Sequence, residues 1–200
     1  MHRRIMLSWC ALAGVAALTT AAALTGGGEQ DVRFWPGAGH DLVVAGSTRP
    51  GWVPSSADWE QGRPEAYRIG LDPAARELGP GGVLELRVAA RHGAHDAPSE
   101  VRLAVTDPDD RGARTDPRTG SRLELFDQLH LLVVDAATGE VLVDAGPGST
   151  AESRSARWGG VWQPGEVRLV DITVTVPEEL TDAWQGAVTD IQVDLVSESV

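Results

Sequence analysis

Strict alternation of apolar and polar residues recurs along this chain, and it leaves few folds open. Leu84, Leu86 and Val88 alternate with Glu85 and Arg87, and Val101, Leu103 and Val105 lie opposite Glu100 and Arg102. Val170, Ile172, Val174 and Val176 repeat the pattern, as do Ile191, Val193 and Leu195 against Asp190, Gln192 and Asp194. A period of two puts one set of side chains on a core face and the other in water, which is the signature of antiparallel strands. Asp31 to Trp35, Asp41 to Ala45 and Ala66 to Leu71 read as further short strands. Leu129 to Asp135 and Glu140 to Asp144 read as a hairpin, with Gly139 of the Ala136-Ala137-Thr138-Gly139 turn supplying a positive φ. Leu131-Leu132-Val133-Val134 is apolar on both faces, which predicts an interior strand. Single helical turns are expected over 72–78 and 178–183. The stretches 46–64, 106–121 and 146–165 read as loops. Eight or nine strands without a long amphipathic helix predict an all-β fold, an antiparallel β-sandwich of jelly-roll or Ig-like type. It forms one domain over 31–200.

The domain follows an export segment. Arg3 and Arg4 precede a stretch from Ile5 to Gly28 with no charge, and Ala21-Ala22-Ala23 offers small residues for cleavage. Residues 1–23 are expected to be a signal peptide. The apolar run also has the length of an uncleaved membrane anchor, so the membrane would be touched only through this segment. Gly26-Gly27-Gly28 lies in a flexible tether, 24–30. The expected location is outside the cell, free or tethered to the outer face of the cytoplasmic membrane. Cys10 is the single cysteine and belongs to the leader, so the mature domain has neither a disulfide nor a thiol nucleophile. A domain of roughly 175 residues needs no staple, because it buries about two-thirds of its surface on folding.

The chain carries 17 basic residues, all arginine, against 29 acidic ones, for a net charge of −12. That balance excludes the electrostatic footprint of a nucleic-acid binder and disfavours an anionic membrane surface. Six tryptophans follow the leader: Trp35, Trp52, Trp59, Trp158, Trp162 and Trp184. All six are read as lying in or beside loops, either packed over the ends of the sandwich or displayed to bind carbohydrate.

Four stretches, in this order, resemble the TasA/camelysin family of secreted proteins from Gram-positive bacteria. They are Phe34 to Leu42, Pro80-Gly81-Gly82 with the two strands that follow, Pro164-Gly165-Glu166 before the strand Val167 to Val176, and Trp184-Gln185-Gly186 before the last strand. The chain departs from the family at Arg91-His92-Gly93, where the family has Asn-x-Gly, and in the long insertion 46–63. The resemblance implies a jelly roll, export through a dedicated signal peptidase and, in some members, subunits of a biofilm-matrix fibre. Other members were classed as metallopeptidases. The expected partners are other copies of the chain or components of the cell envelope.

Candidate chemistry is sparse. A zinc peptidase would place two histidines and a glutamate on one helix face as His-Glu-x-x-His, and the chain has no such motif. His92 and His95 form the nearest pair, in a turn expected to be exposed. Asp107, Asp109 and Asp110 cluster in a loop, and calcium is the cofactor such carboxylates would take. Arg111 occupies a ligand position there, and a solvated polar loop competes with the metal site. No Gly-x-Ser-x-Gly elbow or glycine-rich phosphate loop is present. The expected function is therefore structural or adhesive and not enzymatic, with a metal-dependent peptidase or a carbohydrate-binding module as the alternatives.

Overall fold

The computed structural model of the chain describes residues 20–22, 31–34, 42–59, 67–70, 78–93, 97–107, 114–116, 118–180, 184, 187 and 189–200. Among the described residues, thirteen strands run in chain order. They are β1 (Thr20–Ala22), β2 (Asp31–Phe34), β3 (Val43–Ser47), β4 (Tyr67–Gly70), β5 (Val83–Arg91), β6 (Ser99–Thr106), β7 (Arg114–Thr115), β8 (Arg122–Leu123), β9 (His130–Asp135), β10 (Val141–Ala145), β11 (Ser155–Trp162), β12 (Val167–Thr175) and β13 (Thr189–Ser199). One sheet has the order β11-β6-β13-β1-β2-β4, and the second has the order β10-β9-β12-β5-β3. The pairing is antiparallel throughout. Strands β7 and β8 form a separate two-stranded ribbon, so the polar segment expected as a loop over 106–121 contains a short strand.

The two sheets pack face to face as an antiparallel sandwich, and the period-two segments supply the core. Leu84, Leu86 and Val88 of β5 turn inward with Val170, Ile172 and Val174 of β12. They meet Val101, Leu103 and Val105 of β6 and Ile191, Val193 and Leu195 of β13 from the opposite sheet. Each such side chain contributes about 1.5–3 kcal/mol on burial. Strand β9 is paired on both sides, with β10 and β12, as its two apolar faces predict.

Proline-glycine pairs make turns between the strands. Pro50-Gly51, Pro80-Gly81, Pro147-Gly148 and Pro164-Gly165 each sit at the centre of a four-residue turn closed by a backbone hydrogen bond. In each pair the glycine has φ between 68° and 77°. Proline fixes the first central φ, and glycine supplies the positive second one that a type II turn requires.

Two placements differ from the sequence expectation. The first and last strands of a sandwich often lie at edges, yet the last strand, β13, is interior, between β6 and β1. Strand β1 comes from the apolar run expected as leader, with Thr20 opposite Ile191 and Ala22 opposite Thr189. The expected turn over 72–78 lies almost wholly outside the described residues, and that over 178–183 partly so. Among the described residues, no helix is long and apolar enough to cross a membrane.

Candidate functional site

Of the expected metal ligands, His92 and Asp107 are among the described residues. The side chain of His92 is wholly buried, where an exposed turn was expected. The turn tucks in because the His92 backbone bonds to the turn before β12: its N–H donates to the Glu166 carbonyl (2.9 Å) and its own carbonyl accepts from Gly165 N–H (3.1 Å). Asp107 stands past the far end of β6 and accepts from the Thr189 hydroxyl at 3.2 Å. The eight residues of β6 lie between these two positions in the chain. His95, Asp109 and Asp110 lie outside the described residues. Among the described residues, no three His, Cys, Asp or Glu side chains are grouped to hold a metal.

Trp35 lies outside the described residues, and the other five post-leader tryptophans divide into two sets. Trp158 and Trp162 are fully buried and belong to β11, a strand inside the stretch 146–165 expected as a loop. Their rings meet edge to face, with centroids 4.9 Å apart and planes at 78°. The Trp158 indole N–H donates to Asp135 Oδ2 at 2.9 Å, and that of Trp162 donates to the Trp158 carbonyl at 2.9 Å. Between them Gly159 and Gly160 take φ of 47° and 56°, and the register against β6 shifts between Arg157 and Val161. This bulge leaves carbonyls outside the ladder. Arg168 from β12 collects them: its guanidinium donates to the carbonyls of Trp158 and Gly159 while stacked 4.7 Å over the Trp162 ring. These two tryptophans are core residues and present no face to a glycan. Trp52, Trp59 and Trp184 are half-buried, and the Arg91 guanidinium lies 4.8 Å over the Trp59 ring.

Missing from the sequence expectation is a cavity of about 220 Å³ on the outer face of the five-stranded sheet. Its floor is the outward set of two neighbouring strands. Arg87 of β5 stands opposite Asp171 of β12, and Glu85 opposite Thr173. The type II turn Arg49-Pro50-Gly51-Trp52 overhangs this floor, with Thr48 beside it. Arg87 grips Asp171 through two hydrogen bonds, Nε to Oδ1 at 2.6 Å and Nη2 to Oδ2 at 2.7 Å, and Nη1 reaches the Trp52 carbonyl at 3.4 Å. The Asp171 hydrogen bonds hold the Arg87 proton more tightly than usual. Arg49 and Arg87 balance Glu85 and Asp171, so the site is formally neutral within a chain of net charge −12.

No protein-family profile matches the chain, and no curated protein matches it. Among solved structures it is similar to a family 123 glycoside hydrolase from Clostridium perfringens, with 7% sequence identity and a TM-score of 0.31. The match covers 62% of this chain and spans only 19% of the hydrolase.

Proposed function

We propose that the chain is an exported structural or adhesive protein of the cell surface, which assembles with further copies of itself by strand addition at β13. The uncharged N-terminal run behind Arg3 and Arg4 supports export. One structural observation carries the assembly reading. β13 pairs with β6 over Gln192–Ser199, while on its other side β1 covers only Thr189–Ile191. Beyond Ile191, no described strand pairs with that second side. An open strand side presents N–H and C=O groups to any extended segment that reaches it. Cleavage after Ala23 would remove β1 and uncover Thr189–Ile191 on the second side of β13. The post-leader segment of another copy is then a natural occupant, held by main-chain hydrogen bonds. The resemblance to the TasA/camelysin family supports the same reading.

Charge sets the conditions. Asp190, Asp194 and Glu198 lie on β13, and the net charge of −12 repels identical copies. The protein is therefore a monomer at neutral pH and low salt, and it assembles on acidification or with divalent cations. Light scattering across a pH series tests this on chains with and without residues 24–36. Assembly of the intact chain alone supports the reading. Equal behaviour of the two forms rules out donation by this segment, and failure of both to assemble rules out the fibre. Sequencing the mature N-terminus after cell fractionation tests export, and an intact soluble cytoplasmic form overturns it.

A further inference from the structure

We propose that the cavity between the Arg49–Trp52 turn and the outer faces of β5 and β12 binds a neutral saccharide unit. The argument begins with charge. Two guanidiniums and two carboxylates line the site, which removes the net field that would select a polyanion or a metal cation. What remains is a dense alternation of donors and acceptors. Arg49 and Arg87 only donate, Glu85 and Asp171 only accept, and the hydroxyls of Thr48 and Thr173 do both. A ligand that satisfies such a surface must itself donate and accept at neighbouring atoms. Vicinal hydroxyls on a sugar ring have this property, whereas a carboxylate, a phosphate or an ammonium group does not.

An extended peptide is a poor fit. Strand β5 lies between β12 and β3, and β12 lies between β9 and β5, so their backbone groups are already paired across the floor. Only side chains face the cavity, and a peptide would find no ladder to join. The floor is also preorganised. The Arg87 guanidinium is fixed by Asp171 on one side and the Trp52 carbonyl on the other. Pro50 and Gly51 lock the overhanging turn, with Gly51 at φ 68°. A site held this way loses little conformational entropy when it is filled. Glu85 on the floor and Arg49 on the overhanging turn supply specificity at the mouth.

Isothermal titration of the purified full-length chain tests the proposal, with maltohexaose, cellohexaose and chitohexaose as neutral probes and a heparin oligosaccharide as the anionic one. At least one neutral glycan is expected to bind saturably, and heparin is not. Glu85→Gln and Thr173→Val, both on the outer sheet face, are each expected to weaken binding by about tenfold, the loss of one polar contact. Arg122→Ala, away from the site, is expected to leave it unchanged. Amide NMR signals of the 48–51 turn are expected to shift on addition of the glycan and to stay fixed with heparin. Failure of all three neutral glycans to bind overturns the proposal, as does binding that Glu85→Gln and Thr173→Val leave untouched, or preference for heparin. The same two variants are expected to assemble in the light-scattering series as the unaltered chain does, so this site and strand addition stand or fall separately.

Discussion

Replacing Asp135 by alanine disconnects a hydrogen bond that ties one sheet to the other. Asp135 ends β9, and its Oδ2 accepts the indole N–H of Trp158 from β11 at 2.9 Å. Its Oδ1 accepts from the backbone N–H groups of Ala137 and Thr138, both at 2.9 Å, and from the Thr138 hydroxyl at 3.1 Å. In Asp135→Ala the indole N–H is left buried without an acceptor, which costs about 1–3 kcal/mol. The turn donors are exposed and turn to water, so their loss adds about 1 kcal/mol in all. The sum is about 3 kcal/mol, and a chain of this size loses roughly 2–4 °C in Tm per kcal/mol, for a drop of about 6–12 °C. A double-mutant cycle with Trp158→Phe isolates the pair. The expected coupling is about 1.5–3 kcal/mol, the range for a hydrogen bond to a charged acceptor. Acid provides a second check. Burial pushes the Asp135 carboxyl upward, but the bonds from Trp158, Thr138 and Ala137 outweigh it and hold the group below its ordinary value. The folded pKa is thus below the unfolded one of about 3.9. The stabilisation is complete above that value and disappears as the pH falls through the folded pKa. The gap between the unaltered chain and Asp135→Ala should hold steady from neutral pH to about pH 5 and close below about pH 4. Urea unfolding followed by tryptophan fluorescence measures both quantities. A coupling below about 0.5 kcal/mol, or a gap that widens on acidification, would refute the reasoning.

Three further outcomes follow from the same packing. Gly160→Ala is expected to cost about 1–2 kcal/mol in urea unfolding, all of it from the backbone, because φ is 56° and a Cβ there meets no atom within 4 Å. Arg154, with its side chain 7% exposed, bonds Asp127 at 3.1 Å and lies 4.5 Å over the Phe126 ring. Arg154→Ala should lose about 2–3 kcal/mol, while Arg154→Met, which keeps the apolar stem and removes the buried charge, should lose under about 1 kcal/mol in the same assay. Ile172→Ala at the centre of β12 should cost about 2–5 kcal/mol, whereas Val83→Ala on the same sheet, half exposed, should shift stability by under about 0.5 kcal/mol.

Much of the fold was legible residue by residue, because the pleat itself writes a period of two into the sequence. Alternation located β5, β6, β12 and β13 to within a few residues and sorted their inward side chains from their outward ones. The doubly apolar run 131–134 marked an interior strand. Pro80-Gly81 and Pro164-Gly165 form turns whose torsional preferences act within two residues. Strand β11 was hidden by Gly159 and Gly160, which locally read as a loop. Its carbonyls are satisfied by Arg168, a side chain from another strand. For the same reason His92 and the two core tryptophans could not be placed from their neighbours in sequence: what buries them arrives from elsewhere in the chain. The expected calcium loop rested on Asp107, Asp109 and Asp110 being close in sequence, and its last two members lie outside the described residues. The cavity was least legible. Arg87 and Asp171 are 84 residues apart, and they face each other only because β12 pairs with β5 in one register. A shift of that register by one residue would turn either side chain into the core. Strand type is a local property of the chain, but strand partner and register are chosen by the core that both sheets must close together, and the site exists only after that choice.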